Sequence, residues 1–206
     1  MKPSKKELLR INKEFYNLHA EEFSSKRNYQ WDSFWEIKKY IKKKDSVLDI
    51  GCGNGRFSLN VDKDYYLGID SSSKLINIAK EKYKEKKFLI RDISIDGWSN
   101  DLAKFDIVLL IATLHHIPSY DLRLRIMKDI RSVTNKYFIF SIWNFDESKI
   151  TDNLGEGDYL LSWNKEEDIR YVHKFQEDEI LSLISDSNFS LVNRFVMESN
   201  EYFILN

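Results

Sequence analysis

The 206-residue sequence contains few of the residues that mark several classes of protein. Its single cysteine, Cys52, excludes an internal disulfide and indicates a reducing compartment. One cysteine and four histidines also predict that there is no metal site. The longest mostly apolar run, residues 107–114, is far shorter than the roughly 20 residues of a membrane span, and no apolar stretch follows the charged N-terminus. These absences predict a cytoplasmic protein with no signal peptide and no membrane contact.

Proline and glycine are also scarce, at two and seven residues, and 42% of the chain is hydrophobic, which indicates an ordered protein with a buried core. We expect a single domain over residues 1–206, with a helical lid over 1–44 and a substrate-side loop or insertion over 144–173. Residues 1–44 contain 12 Lys and Arg against 6 Asp and Glu, whereas residues 147–206 contain 5 against 13. The basic N-terminal face could bind an anion such as a nucleic acid, or it could be only a solvated helix surface.

Five apolar runs alternate with amphipathic segments before residue 144. The runs are residues 46–50, 66–70, 87–92, 105–112 and 136–143. Helices are predicted over residues 4–23, 31–43, 73–86, 120–133 and 177–187. Continuous apolar strands between helices indicate a parallel sheet covered on both faces, and residues 189–198 and 202–205 indicate a final hairpin. The predicted fold class is therefore α/β, a Rossmann-like αβα sandwich with a seven-stranded, mostly parallel sheet and a C-terminal antiparallel hairpin strand.

A glycine-rich turn follows the first predicted strand. Gly51, Gly53 and Gly55 allow a tight turn and let a ligand approach the backbone before a helix begins. Asp49 stands two residues before the first glycine, where its carboxylate can help to hold an ammonium group. The loop lacks the later glycine spacing that suits a diphosphate, so a methionine-containing nucleoside cofactor, S-adenosylmethionine, is favoured over NAD.

Two further carboxylates close the next two predicted strands. Asp70 can accept hydrogen bonds from both hydroxyls of a ribose. Asp92 can accept a hydrogen bond from the adenine amine, while the backbone N–H of Ile93 donates one to a ring nitrogen. Each aspartate by itself would also suit a helix N-cap. Three aspartates at successive strand ends, beside a glycine loop, predict a site for S-adenosylmethionine and its product S-adenosylhomocysteine.

At this point the sequence resembles class I methyltransferases, through residues 49–56, 67–71 and 111–116. More narrowly, it resembles the tRNA wobble-uridine methyltransferases that esterify 5-carboxymethyluridine. That family has a Phe-Ser-x-x-Arg-x-x-x-Trp element, to which residues 23–31 are similar. It also has a late tryptophan followed by Arg-Tyr-x-His, which matches Trp163 and residues 170–173.

The resemblance implies a reaction, its partners and further site residues. It implies methylation of the carboxylate of 5-carboxymethyluridine in tRNA, with a small zinc-ribbon activator paired to the edge of the sheet, where we expect the third strand. Ser71 and Ala112 would join the cofactor site. The expected catalytic residues are His116, Arg27, Arg170 and His173.

Specific roles follow for these side chains. The arginines would clamp a carboxylate or phosphate, and Trp31 or Trp143 could stack on a base. Of the two adjacent histidines, we expect one to be core-facing and hydrogen-bonded and His116 to line the cleft. Arg170 and His173 could alternatively form a surface pair that holds a loop.

Two other functions are compatible with the same residues. A small-molecule O- or N-methyltransferase would share the cofactor half and the helical lid, but it needs a general base, whereas a carboxylate nucleophile is already ionised near pH 7. A non-catalytic regulatory protein that only binds the cofactor is the third. The intact Asp49, glycine loop, Asp70 and Asp92 favour an enzyme over this third alternative.

Overall fold

The computed structural model describes residues 2–27, 29–164 and 167–206. The strands within those ranges are β1 (Val47–Ile50), β2 (Tyr66–Asp70), β3 (Lys87–Ile90), β4 (Phe105–Leu110), β5 (Thr134–Trp143), β6 (Ile150–Gly155), β7 (Asp158–Ser162), β8 (Ile169–His173), β9 (Leu191–Met197) and β10 (Asn200–Leu205). Seven of them form one sheet in the order β3-β2-β1-β4-β5-β10-β9. The first five pair in parallel, and β10 is antiparallel to both β5 and β9. The predicted fold class is therefore confirmed.

The α-helices of the described residues are α1 (Lys5–Leu18), α2 (Ala20–Ser25), α3 (Ser33–Lys38), α4 (Ser73–Lys82), α5 (Tyr120–Val133) and α6 (Glu177–Asp186). Helix α5 has the predicted bounds, and a capping box between Ser4 and Glu7 begins α1. The helix predicted over 4–23 is interrupted at His19, whose ring packs on Phe15 and whose Nε2 lies 3.2 Å from Asp168. Tertiary contacts at this histidine thus override a continuous helical pattern.

The glycine loop leads into a short 3₁₀ helix, Arg56–Asn60. The side-chain amide of Asn60 donates to the Phe57 carbonyl at 3.1 Å and to Gln30 Oε1 at 2.8 Å, which ends the helix after five residues. The loop therefore approaches a ligand through its own backbone and not through a long helix terminus.

The core lies on both faces of the large sheet. Alternate residues of β1 face opposite sides, so that Leu48 packs in the cluster with α5 and α6, whereas Val47 packs in the cluster with α3 and α4. This two-sided burial explains why the parallel strands are continuous apolar runs in the sequence.

The loop or insertion predicted over residues 144–173 is not an unstructured loop but contains a sheet of its own. Strands β6, β7 and β8 form a separate antiparallel sheet, within which residues 165 and 166 lie outside the described part of the chain. The turn between β6 and β7 consists of Glu156 and Gly157, both with positive φ, at 55° and 81°. Such a two-residue turn matches the twist of a β-hairpin.

The small sheet packs on the N-terminal helix. Leu8 of α1 contacts the buried cluster of Leu160 and Tyr171. The side chain of Asn12, also on α1, donates to the Tyr171 carbonyl at 3.0 Å and accepts from the Tyr171 N–H at 2.8 Å. Helix α1 and the small sheet therefore form one wall beside the large sheet.

Strand β3 lies at the edge of the large sheet, as expected. Leu89 and Ile90 on this strand are 42% and 55% exposed. The activator that would cover such an edge stays a prediction. Among the described residues, no helix is long and apolar enough to span a membrane.

Candidate active site

A cavity of about 640 Å³ opens where β1, β2 and β4 end. The predicted cofactor residues that line it are Asp49, Gly51, Gly53, Asp70, Ser71, Asp92, Ile93 and Ala112. Gly55 is not among its lining residues, which corrects its assignment to the site. A Cβ at Gly55 would lie 2.7 Å from the ring of Phe88, so this glycine is needed for packing beneath the loop.

Asp49 is buried at the base of the cavity. Its Oδ2 accepts a hydrogen bond from the Tyr66 hydroxyl at 2.7 Å. Burial raises the pKa of Asp49 to about 7, and the neighbouring Asp70 adds to this rise. A cation bound beside Asp49 would favour the ionised carboxylate.

Asp70 has a different environment at the end of β2. Its Oδ2 accepts from the Gly53 N–H at 2.9 Å, and its Oδ1 accepts from the Ser72 N–H at 2.8 Å. Each carboxylate oxygen keeps a second lone pair, which leaves room for two hydroxyl donors. Burial raises the pKa of Asp70. The N-cap of α4 is Ser72, whose Oγ accepts from the Leu75 N–H, so Asp70 is not the helix cap that its position also suited.

Asp92 also accepts a local hydrogen bond and keeps a lone pair that could accept another from a ligand. Its Oδ1 accepts from the Ser94 N–H at 3.0 Å, and its Oδ2 lies 3.5 Å from the Lys13 ammonium. Ile93 is buried beside it against the core. The three aspartates thus stand along one cavity, as the strand-end pattern predicts.

The turn after β4 also borders the part of the cavity that contains the three aspartates. Ala112 has a positive φ of 49°, which is uncommon for a residue with a side chain, and its N–H donates to Ser141 Oγ at 2.9 Å. A Cβ at Gly51 would lie 2.2 Å from Thr113 Oγ1, so glycine is required where these two loops meet.

Four arginines line the same cavity. Arg91 pairs with Asp101, whereas among the described residues Arg27, Arg56 and Arg170 form no ion pair with a carboxylate. Arg27 and Arg170 were predicted here, whereas Arg56 was not. Burial lowers the pKa of Arg27, with Arg170 contributing, and lowers the pKa of Arg56 to about 10. These guanidinium groups bring positive charge that no carboxylate pairs with directly, which suits an anionic ligand.

Arg170 is enclosed by aromatic rings and is only 5% exposed. Its guanidinium lies 4.7 Å from the Trp143 ring centroid, 4.8 Å from that of Trp163 and 5.6 Å from that of Phe15. Its Nε is buried without a hydrogen-bond partner, as is Trp163 Nε1. Unpartnered buried donors are rare in proteins, and these donors line the cavity.

His116 lines the cavity, as expected, but it is His116 and not His115 that is the hydrogen-bonded histidine. His115 also lines the cavity. The Nδ1 of His116 lies 2.9 Å from the Tyr171 carbonyl, and its Nε2 lies 2.7 Å from the Tyr16 hydroxyl. Because a carbonyl only accepts, Nδ1 carries the proton and Nε2 accepts from Tyr16. Nδ1 of His115 is buried without a partner. Burial lowers the pKa of His116 to about 3, and Arg170 contributes.

His173 lies outside the cavity, which corrects its assignment as a catalytic residue. On β8, residues 170 and 173 are separated by three positions, so their side chains leave opposite faces of the strand. Its Nδ1 lies 2.8 Å from Asp158 on β7, and its Nε2 lies 2.8 Å from Glu179 on α6. Arg123 Nη2 in turn donates to Glu179 at 2.6 Å. His173 therefore joins the small sheet to α6, which packs on the large sheet.

Both ring nitrogens of His173 face a carboxylate, so both must donate, and the ring is held as the imidazolium. The two hydrogen bonds raise the pKa of His173 although burial opposes this. The stabilisation from a raised pKa is complete below the unfolded value of about 6.5 and is lost as the pH rises through the folded value. The pKa values of Asp158 and Glu179 are lowered, so their contributions are lost only at low pH.

We expect His173→Gln to lower the free energy of unfolding by about 3 kcal/mol at pH 6, because it removes one partner of a buried pair. The difference from the unsubstituted protein should shrink toward pH 9. Denaturant unfolding at both pH values measures it. Lys174→Gln, which removes an exposed ion pair with Glu147 at the neighbouring position, is the control. An equal loss at pH 6 and pH 9 would show that His173 acts through packing alone.

Comparisons with known proteins agree with this geometry. A methyltransferase domain family matches residues 41–189. A protein of Encephalitozoon cuniculi (strain GB-M1) that is named a methyltransferase is 30% identical over 93% of this chain and 92% of its own length. The tRNA (carboxymethyluridine(34)-5-O)-methyltransferase of Schizosaccharomyces pombe is 24% identical, covering 86% of this chain and 87% of that protein.

The mouse tRNA (carboxymethyluridine(34)-5-O)-methyltransferase ALKBH8 is 31% identical over 62% of this chain, and the match spans only 19% of that protein. Among solved structures, a SAM-dependent methyltransferase from Methanosarcina mazei superposes with a TM-score of 0.70 at 22% identity, covering 82% of this chain and 95% of that one. This structural likeness supports the fold.

Proposed function

Because the chain belongs to the methyltransferase domain family, we propose that it methylates the carboxylate of 5-carboxymethyluridine at the wobble position of tRNA, with S-adenosylmethionine as the methyl donor. The observation that carries this proposal is the cavity in which Arg27 and Arg170, without carboxylate partners among the described residues, stand beside the three strand-end aspartates. The names of the mouse and fission-yeast relatives support the same acceptor.

The residues present fit the proposed cofactor through the chemistry of their donors and acceptors. Asp49 suits the ammonium of an amino acid, Asp70 has capacity for two ribose hydroxyls, and Asp92 has a free acceptor for an amine. Gly53 exposes backbone to the cavity. When bound, S-adenosylmethionine supplies a methyl group activated by a positively charged sulfur.

The chain's own residues then have to align and desolvate the acceptor. Arg170 is proposed to hold the acceptor carboxylate, and Arg27, whose guanidinium lies 4.0 Å from the ring centroid of Phe23, adds a second positive charge. Trp143 and Trp163 exclude water around Arg170. The carboxylate is ionised at neutral pH, so alignment suffices and no side chain needs to remove a proton.

Several features support an RNA acceptor. Trp31, Trp143 and Tyr29 line the cavity, and aromatic rings of this kind stack on unpaired bases. The basic excess of residues 1–44 adds an attraction for phosphate that would weaken as the salt concentration rises.

One observation favours a second candidate, methylation of a hydroxyl or amine on a small molecule. Tyr16 and His116 form a hydrogen-bonded pair in the cavity at 2.7 Å, and such a pair could accept a proton from a neutral nucleophile. In the proposed function the same pair only positions residues, because His116 links Tyr16 to the β8 backbone.

Substitution of the pair distinguishes the two candidates. For a carboxylate acceptor we expect Tyr16→Phe and His116→Asn to lower kcat by less than about tenfold, because general-base catalysis, worth about 10²–10⁴-fold, is not used. At saturating donor, kcat should be constant from pH 5 to 9 and should show no solvent deuterium isotope effect. A loss above 100-fold together with a clear isotope effect would support the second candidate and exclude the proposed one.

A further inference from the structure

Arg56 is a cavity residue to which neither the cofactor nor the acceptor carboxylate assigns a role. Its guanidinium lies 3.8 Å from the ring centroid of Trp31 and 5.4 Å from that of Phe34. Nη1 is buried without a hydrogen-bond partner. The aromatic face fixes the plane of the guanidinium, which prepares it for a bidentate contact with an oxyanion.

A nearby carboxylate does not neutralise this charge. Glu198 influences Arg56 electrostatically, but its Oε1 accepts from the Asp32 N–H at 3.0 Å and its Oε2 accepts from Ser33 Oγ at 3.3 Å. Glu198 therefore fixes the beginning of α3. Among the described residues no carboxylate comes within ion-pair distance of Arg56, so its positive charge stays available inside the cavity.

The same cavity has an unpaired acceptor. Asn200 begins β10, is 3% exposed, and its Oδ1 has no hydrogen-bond partner. A ligand that satisfies Arg56 and Asn200 together must offer an anion and a hydrogen-bond donor. A ribonucleotide offers both, in its phosphate and its 2′-hydroxyl, whereas a second carboxylate offers only the anion.

We propose that Arg56, stacked on Trp31, binds a backbone phosphate next to the methylated nucleotide, and that Asn200 Oδ1 accepts a ribose hydroxyl of the neighbouring residue. This subsite rests on the proposed function, since it takes RNA as the acceptor. It adds a reason for selecting RNA over a free nucleoside, because a nucleoside has the carboxylate for Arg170 but no phosphate for Arg56.

The probe is a seven-nucleotide RNA with 5-carboxymethyluridine at its centre, and a second version whose two phosphates flanking that residue are neutral methylphosphonates. Binding of both is measured by calorimetry for the unsubstituted protein and for Arg56→Gln. Arg131→Gln is the matched control, because Arg131 also stacks on an aromatic ring, Phe189 at 5.2 Å, but does not line the cavity.

We expect the unsubstituted protein and Arg131→Gln to bind the neutralised RNA about tenfold more weakly than the native RNA. Arg56→Gln should bind both RNAs equally and about tenfold more weakly, with unchanged affinity for S-adenosylhomocysteine. Independent, additive effects of the substitution and the methylphosphonates would overturn the subsite, as would a failure of the unsubstituted protein to bind the native RNA. Weaker binding of S-adenosylhomocysteine by Arg56→Gln would also overturn it, since Arg56 would then belong to the cofactor site.

Methyl transfer to the same RNA is measured separately. If Arg56→Gln removes the effect of the methylphosphonates but no methyl group is transferred, the RNA subsite is supported and the carboxylate acceptor is rejected. If the RNA is methylated but the two effects on binding are additive, the proposed function is kept and the subsite is rejected.

Discussion

Replacing Arg170 by methionine is expected to lower kcat/KM for the 5-carboxymethyluridine acceptor about 100-fold, mainly through a higher KM. The guanidinium is enclosed by Trp143 and Trp163, and its Nε is buried without a hydrogen-bond partner. Losing a desolvated charge pair costs about 2–5 kcal/mol, and about 2.7 kcal/mol corresponds to 100-fold. Methionine keeps much of the apolar volume, so the aromatic enclosure should stay intact.

Steady-state kinetics with varied acceptor and saturating donor measures this effect. Arg170→Lys should recover part of the loss, because it restores the charge without the bidentate geometry. Arg131→Met, which alters an arginine outside the cavity, should leave KM unchanged. A drop in kcat at constant KM would mean that Arg170 does not clamp the bound acceptor.

The second large effect is expected at Asp49. Asp49→Asn should weaken S-adenosylhomocysteine binding about 100-fold at pH 8, because the ammonium of the ligand loses an ionised partner in a buried site. With its pKa raised to about 7, Asp49 is ionised at pH 8 and mostly protonated at pH 6. The unsubstituted protein should therefore bind about tenfold more weakly at pH 6 than at pH 8, whereas Asp49→Asn should bind equally at both.

The same substitution should raise the melting temperature of the ligand-free protein at pH 8. A raised aspartate pKa means that the ionised form is disfavoured in the folded state, and the amide removes that cost. Asp106→Asn is the control, for which we expect the opposite change in melting temperature. The pKa of Asp106 is lowered by the Ser46 N–H and by Lys136, so its ionised form stabilises the folded state. Its melting temperature should fall while ligand affinity is unchanged. Equal pH dependence in the unsubstituted protein and Asp49→Asn would remove the assigned role of Asp49.

The meeting of the three aspartates in one cavity could be predicted because parallel strands end at the same edge of a sheet. Asp49 and Asp70 lie near the ends of β1 and β2, Asp92 follows β3, and the fold brings all three to one cavity. Only Gly55 was misplaced there. Its spacing in the loop matches that of the other glycines, and only the position of Phe88 shows that it serves packing.

The acceptor half was less predictable because it depends on the small sheet. The sequence analysis predicts no hairpin at Glu156 and Gly157 and no strand at β8. The alternation of side chains between the two faces of β8 was therefore missed, and Arg170 and His173 were assigned to the same site. Their spacing of three residues would have separated them on a strand. A signal for Asn12 was present, since it shares the apolar face of α1 with Leu8 and Phe15, where a polar side chain needs a specific partner.

Arg56 gave no comparable signal. It follows the glycine loop in the sequence, where a solvated arginine is equally compatible with the pattern. Its proposed role depends on Trp31, 25 positions earlier, and on Asn200, 144 positions later, which line one cavity only in the folded chain.

The most direct test of the proposed function is transfer of a labelled methyl group to tRNA that retains 5-carboxymethyluridine, followed by nucleoside mass spectrometry. The account predicts label on the wobble uridine as a methyl ester, which mild alkali releases as methanol. Label that resists alkali, label on another nucleotide, or labelling of a small molecule without labelling of tRNA would contradict the account.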